Sequence, residues 1–460
     1  MTMMTLSRLD DFCRDAGLNL RQTPVLLAVS GGADSMAMAH LFYEHGQRLG
    51  VSPSMIRALV IDHGLRPESA EEAAVTVRRL EAMGIPSRAE RLTAPAPQTG
   101  IQAWARQERY KALWRDAIKD HATIITAHHA DDQAETVLMR LARGSGLKGL
   151  GGIPKDSQFY GVRILRPFLD CPGHVLRDYL SRQKITPIDD PSNHNRKFER
   201  VRWRQDQSLL EESGFSRENL LRLSKTSQDI HRHLTAHLTP LNGVGFALLS
   251  SGLSSGMGWI DRDVLTGLPK LLQDHVLKVM MKGLGGGQHL PPSEAMDRLL
   301  AWVKAPDSAR RTLGGLEFTP KQQKIWIYPE AERPWPECDL TAGDHVIDGR
   351  WHLRLSHPAR VMPLGHQGFA ALKRHPKVAR LGLQAPARAY WRWPKLQIAT
   401  NSTVFKGDDG LIALEDGGII PHLCKVTRDQ SPSCWAEMRF IGGDGLVSAD
   451  ELTPCDKAVG

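Results

Sequence analysis

The sequence contains no C-x-x-C pair: its six cysteines (Cys13, Cys171, Cys338, Cys424, Cys434, Cys455) are scattered through 460 residues. That spacing excludes a zinc ribbon and a disulfide framework, and predicts reduced thiols in the cytosol. No H-E-x-x-H occurs among the 19 histidines, so the zinc-protease helix is excluded too. No apolar run approaches the ~20 residues that a membrane span needs. The opening segment carries Asp10, Asp11 and Asp15 where a secretory leader would have an apolar core. These absences predict a cytoplasmic chain with no membrane partner. The length is too great for one core and suits two or three domains.

One further absence is local. From Arg350 to Lys406 there is no Asp or Glu, but there are eleven Lys or Arg, including Lys373, Arg374, Lys377, Arg380 and Arg392. The whole chain sums to +8, so this segment's +11 leaves −3 for the remainder. Trp351, Tyr390, Trp391 and Trp393 are interleaved with the basic residues. Lys and Arg neutralise phosphates and aromatic faces stack on bases, so the segment is expected to bind RNA.

Up to about residue 190, strand-like and helix-like stretches alternate. Val25–Val29, Ile56–Ile61 and Ile124–Ala127 are short apolar runs bounded by turn residues, with Arg88–Leu92 a weaker fourth. Helical patterns at Met36–Leu49, Ser69–Met83 and Ile101–Lys119 separate them. This order predicts an α/β fold with a doubly wound parallel sheet, which binds ligands at the C-terminal ends of its strands. Polar clusters follow three of the strands, as Ser30–Ser35, Asp62–Ser69 and His128–Thr136. Beyond residue 190, helices are expected at Phe215–Leu241, at Leu265–Lys282 and from Pro292 to Val303, with a hairpin at Leu313–Tyr328.

The first cluster reads Ser30-Gly31-Gly32-Ala33-Asp34-Ser35. Glycines let backbone N–H groups approach an anion, and the following helix N-terminus favours negative charge. The loop lacks the Walker lysine and the third glycine of the dinucleotide fingerprint. An Asp beside a polyphosphate calls for a cation, so Asp34 is the candidate Mg²⁺ ligand. In the third cluster, a helix starting near Ala130 puts Asp131 and Asp132 in its first turn, where one of them serves as a cap. His128 and Asp132, four residues apart, could face one ligand. Arg106 and Arg109 share a helix face and could reach phosphate.

The loop Ser30–Ser35 matches the SGG-x-DS signature of the PP-loop ATP pyrophosphatases. Asp62-His63-Gly64-Leu65-Arg66-Pro67-Glu68-Ser69, Ala105–Tyr110, His128–Thr136, Arg143-Gly144-Ser145-Gly146 and Asp190–Asn193 with Phe198–Arg204 resemble, in order, segments of the tRNA(Ile)-lysidine synthetases. The match covers about residues 22–205; the family often has Asn where this chain has Val201. The resemblance implies ATP as substrate, Mg²⁺, and adenylation of the wobble cytidine in the CAU anticodon of an isoleucine tRNA, followed by attack of free lysine. It implies ATP contacts from Ser30, Gly31, Gly32, Ala33, Asp34, Ser35 and His63. Asp34, His128, Asp132, Arg106, Arg109 and Arg200 would form the reacting centre, with Arg202 on the tRNA. Long members carry further domains, giving an expected catalytic domain at 1–210, a mostly helical middle domain at 211–335 and a small basic α+β tRNA-binding domain at 336–460. A homodimer is left open. The alternatives are another PP-loop tRNA-modifying enzyme, such as a tRNA thiolase, and a non-catalytic nucleotide-regulated RNA binder. The thiolase would need cysteines near the site motifs. The binder gives no reason for His128, Asp131, Asp132 and Glu135 together.

Overall fold

The computed structural model describes residues 2–64, 66–93, 97, 99–188, 203, 207–241, 245–249, 256–285, 290–305, 309–331, 337–348, 350–355, 358–374, 385–390, 394–397, 411–413, 419–421 and 436–440. It divides into two compact units, Met1–His233 and Leu234–Gly460.

The first unit is an α/β layer fold. After helix α1 (Thr2–Asp15), strand β1 (Val25–Val29) leads into α2 (Ala33–Leu49), β2 (Ile56–Asp62) into α3 (Ser69–Ala82), and β3 (Ser87–Arg91) into α4 (Ile101–Ala117). Strand β4 (Thr123–Ile125) then leads into α5 (Ala130–Ala142) and the single turn α6 (Leu147–Leu150). A hairpin of β5 (Asp156–Phe159) and β6 (Val162–Leu165) precedes α7 (Gly173–Arg182). The sheet order is β3-β2-β1-β4-β6-β5. Pairing is parallel throughout except between β5 and β6.

The centre of the sheet is apolar because helices cover both faces. Val25, Leu26 and Leu27 of β1 are fully buried, and one face packs against Met36, Met38 and Phe42 of α2. β1 has β2 on one side and β4 on the other, so the chain reverses its direction of travel across the sheet at β1. In open α/β sheets the ligand crevice lies at such a switch point, outside the C-terminal strand ends. The loops after β1 and β4 border it.

The expected strands and helices of this unit are present, with ends shifted by a few residues. The β5–β6 hairpin was not expected. Its strands have four residues each and turn at Tyr160-Gly161, with φ of 48° and 80°. The composition thus lacks the Asn-Gly or Asp-Gly pair that usually marks such a turn.

In the second unit, helices Arg262–Gly267, Lys270–Gly285 and Ser293–Lys304 accompany a five-stranded sheet. The expected hairpin is there, with Leu316–Lys321 antiparallel to Lys324–Pro329. The helix expected at Leu265–Lys282 is two helices, because Leu268, the residue before Pro269, adopts extended backbone before the second begins. One hydrophobic cluster runs from Leu238 through Trp326 to Tyr390, joining residues on both sides of position 336. Among the described residues no helix is long and apolar enough to cross a membrane.

Candidate active site

The loop after β1 is held open by its own hydroxyls. Ser35 Oγ donates to the Gly32 carbonyl at 2.9 Å and lies 3.2 Å from both the Ser30 backbone nitrogen and the Ser30 hydroxyl. Gly31 has φ +85°, and a Cβ there would sit 2.5 Å from Thr76 Oγ1, so the position requires glycine. Its carbonyl accepts from the Ile188 amide at 2.9 Å. Gly32 caps α2 without any side-chain hydrogen bond. The first N–H groups of α2 therefore face the crevice with the positive end of the helix dipole behind them.

Asp34 lies in the first turn of α2. Its Oδ2 is 3.4 Å from His129 Nε2 and its Oδ1 is 3.7 Å from Arg177 Nη1 on α7. Oδ1 is buried and has no hydrogen-bond partner among the described residues, which suits it to a cation. No cluster of three His, Cys, Asp or Glu side chains suited to a metal occurs among the described residues. A single carboxylate of this kind fits Mg²⁺, which is usually bound through one or two carboxylates with substrate phosphates and water completing its shell.

The loop after β4 places a histidine at the N-cap of α5. His129 Nδ1 accepts from the Asp131 amide at 3.2 Å, and Asp132 Oδ2 accepts from the His129 amide at 3.1 Å, closing a capping box. The buried His129 ring also faces carboxylates, at 3.6 Å for both Asp131 and Asp132. Burial opposes its protonation, but the hydrogen bond to Asp34 and the charges of Asp132, Asp34 and Asp131 prevail and raise its pKa. Asp131 accepts from the Gly173 amide at 3.1 Å and from Arg217 at 3.0 Å. Burial works against the ionised form of Asp131. Arg217, His129 and the Gly173 amide outweigh it and hold the carboxyl below its usual range.

His128 points elsewhere. Its Nδ1 lies 2.8 Å from Thr126 Oγ1. Burial first, then the charges of Arg166, Arg106 and Arg109, hold the imidazole far below its ordinary value against the pull of Asp132. Arg106 and Arg109 flank the Tyr110 ring at 5.1 and 5.7 Å. Arg166, at the end of β6, is buried and donates to the Pro154 carbonyl and the Ser157 hydroxyl. Asp132 thus acts on both histidines, between an acidic group (Asp34, His129, Asp131) and a cationic one (Arg106, Arg109, Arg166). Beside the acidic group, Asp131, Glu135, Trp203, Glu211, Phe215 and Arg217 border a small cleft open to solvent.

The structure therefore brings Asp34 and Asp132 together around His129, and sets His128 with Arg106 and Arg109. His63 follows β2, the strand next to β1. Arg200, Arg202, Lys377, Arg380 and Arg392, with Trp391 and Trp393, lie outside the described residues. Lys373 and Arg374 are exposed at the end of helix Gly365–Arg374. Trp351 and Tyr390 are buried at 2% and 0% exposure, so they are core residues and offer no face to a base.

Sequence reasoning missed His129 as the hub, together with Gly173, Arg177 and Arg217. A His two residues before Asp-Asp at a helix start was the available signal for the first. The others come from segments 40 to 90 residues away, and only folding brings them in.

Fold and loop together define a PP-loop ATP-binding domain, and the family model described as the PP-loop domain matches residues 2–210. A tRNA(Ile)-lysidine synthase of Methylobacterium nodulans is 34% identical over 67% of this chain and 91% of its own length. That of Hyphomonas neptunium is 35% identical over 72% of this chain and 88% of its own. That of Rhodopseudomonas palustris is 41% identical over 44% of this chain, a stretch spanning 58% of the relative. The chain belongs to the tRNA(Ile)-lysidine synthase family, whose members are ATP-utilising PP-loop ligases. These relatives support that reading over the thiolase alternative.

Proposed function

We propose that the protein joins free L-lysine to C2 of the wobble cytidine in the CAU anticodon of tRNA(Ile), so that the tRNA reads AUA. The C2 carbonyl oxygen attacks the α-phosphorus of ATP, and the bond to pyrophosphate breaks. The ε-amine of lysine then attacks C2 and loses a proton as the C2–oxygen bond breaks, releasing AMP.

The observation that carries this reading is the meeting of the uncapped N-terminus of α2, the Asp34 carboxylate, whose Oδ1 has no hydrogen bond among the described residues, and the His129 hub at one switch point. Uncapped N–H groups stabilise charge that develops on a leaving pyrophosphate. Mg²⁺, when held by Asp34, would neutralise part of that charge. Arg106 and Arg109 are suited to the α-phosphate because a guanidinium matches its oxygens in a planar fork. His128, kept neutral, can accept or donate a hydrogen bond without adding charge. The cleft at Asp131 and Glu135 has the chemistry for lysine: carboxylates and aromatic faces for an ammonium, Arg217 for a carboxylate. Arg200 belongs to the same reacting centre, with Arg202 on the tRNA. The basic C-terminal domain (336–460) grips the tRNA through Lys373 and Arg374, joined by Lys377, Arg380 and Arg392. The setting is the cytoplasm.

Incubation with ATP, labelled lysine and tRNA(Ile), followed by nucleoside analysis, tests the reading. Label should enter the wobble nucleoside with one AMP and one pyrophosphate released per event. Elongator tRNA(Met), which shares the CAU anticodon, should stay unlabelled. Pyrophosphate release that needs tRNA but is indifferent to lysine would refute it.

A further inference from the structure

Two arginines of the acid-free segment are turned inward. Arg350 is 2% exposed and donates to the Leu284 carbonyl at 3.3 Å as well as to Asp348. Arg388, on the short helix Ala387–Tyr390, donates to both carboxylate oxygens of Glu317 at 3.2 and 3.3 Å. Glu317 lies on strand Leu316–Lys321 and is 1% exposed. Its Oε1 also accepts from the Tyr328 hydroxyl at 2.8 Å, and Thr319 Oγ1 is 2.6 Å from that hydroxyl. Arg310 Nε is a further 4.0 Å neighbour.

A carboxylate buried so deeply is costly unless it is paired and hydrogen-bonded, and even then the pair adds little net stability over an apolar replacement. What it can supply is a fixed geometry. Two residues beyond Arg388, the fully buried Tyr390 stacks on Phe369 with centroids 5.4 Å apart and planes at 22°. Phe369 belongs to helix Gly365–Arg374, which buries Leu372 and exposes Lys373 and Arg374 at its end. A continuous path of contacts thus runs from Glu317 through Arg388 and Tyr390 to the helix that carries two of the exposed cations.

We propose that Glu317 is a positioning residue for RNA capture: by holding Arg388 it fixes the helix that presents Lys373 and Arg374 to tRNA phosphates. This rests on the reading of the C-terminal segment as the tRNA grip. Glu317 itself touches no RNA. Its charge acts by being buried opposite Arg388, which sets it apart from every cation of the segment.

The near-isosteric Glu317→Gln separates this from simple electrostatics by sign. Removing a negative charge from a basic RNA-binding unit should tighten tRNA binding if charge alone matters. Loss of the positioning role should instead raise KM for tRNA about threefold to tenfold and flatten its salt dependence by roughly one contact. kcat at saturating tRNA should stay within about twofold, since the ATP site is elsewhere. Amide exchange across residues 365–374 should quicken in the tRNA-free variant. Unchanged exchange there, or tRNA binding equal to or tighter than wild type, overturns the proposal. If Glu317→Gln fails to fold, Arg388→Met carries the exchange measurement with the same two outcomes. The double variant Lys373→Ala/Arg374→Ala tests the underlying reading on its own. A normal KM for tRNA in that variant refutes the grip, and the positioning role with it, even if exchange has quickened in Glu317→Gln.

Discussion

In the N-terminal unit three carboxylates, Asp34, Asp131 and Asp132, lie within 3.6 Å of the ring of one histidine. Each has a further assigned neighbour: Arg177, Arg217 or the His129 amide. In the C-terminal unit the segment from Arg350 to Lys406 has eleven cations and no acid of its own. Among the described residues, four of them nevertheless meet acids that lie outside it. Arg350 pairs with Asp348, Arg354 with Asp344, Arg360 with Glu337 and Arg388 with Glu317. The first arrangement is a site, where a shift of one ångström changes what a group can do. The second is partly a field, where the sum matters more than any member. Chemistry on a phosphorus atom needs the former, because charge must be stabilised at one place; holding a long polyanion can rely on the latter.

The contrast predicts a steep gradient of mutational effects. Asp34→Asn should lower pyrophosphate release by about 10²–10³-fold, the usual loss when an aligned charge is removed from a reacting centre. Melting temperature should fall much less than activity, because asparagine keeps the size of Asp34 and forfeits only its charge toward His129 and Arg177. A variant with near wild-type release would show that Asp34 does not hold the cation.

Gly173→Ala should have the next largest effect. Its new Cβ would lie 2.9 Å from both Asp131 Oδ2 and His129 Cε1, and 3.0 Å from Arg177 Nη1. Overpacking of this kind costs about 1–3 kcal/mol, so both turnover and melting temperature should fall. Unchanged turnover would mean that the hub tolerates displacement and is less tightly specified than its geometry suggests.

Lys373→Ala should have the smallest effect. Affinity for tRNA should drop severalfold, with the salt slope reduced by about one contact or less, and kcat should be unaltered. A loss as large as that of Asp34→Asn would make the basic helix a site after all.

How far the sequence disclosed this molecule follows the same divide. The loops after β1 and β4 could be read because local geometry demands particular residues there: Gly31 for its positive φ, an uncapped Gly32, acids in the first turn of α5. The fates of His128 and His129 could not be read, since which of two adjacent residues caps α5, and so turns its ring toward Asp34, is decided by the exact start of the helix. Gly173 and Arg177 carry no local mark at all, because their meaning arises only when α7 packs beside α2. In the C-terminal unit the basic character was plain from composition. The burial of Trp351 and Tyr390 was not, because an aromatic among cations reads alike whether it packs inward or stacks on a base.

The edge strand β3 has a consequence of a different kind. It reads Ser-Arg-Ala-Glu-Arg, and its charges are engaged by α4, Arg88 with Asp116 at 2.8 Å and Glu90 with Arg115 at 3.0 Å. A parallel sheet assembles slowly, since its neighbouring strands are far apart in sequence, and its open edge invites strands from other chains meanwhile. A foreign strand that added to β3 would have to displace those ion pairs and strip water from Arg91. Charges placed in this way on an open edge are of the kind that discourages such additions.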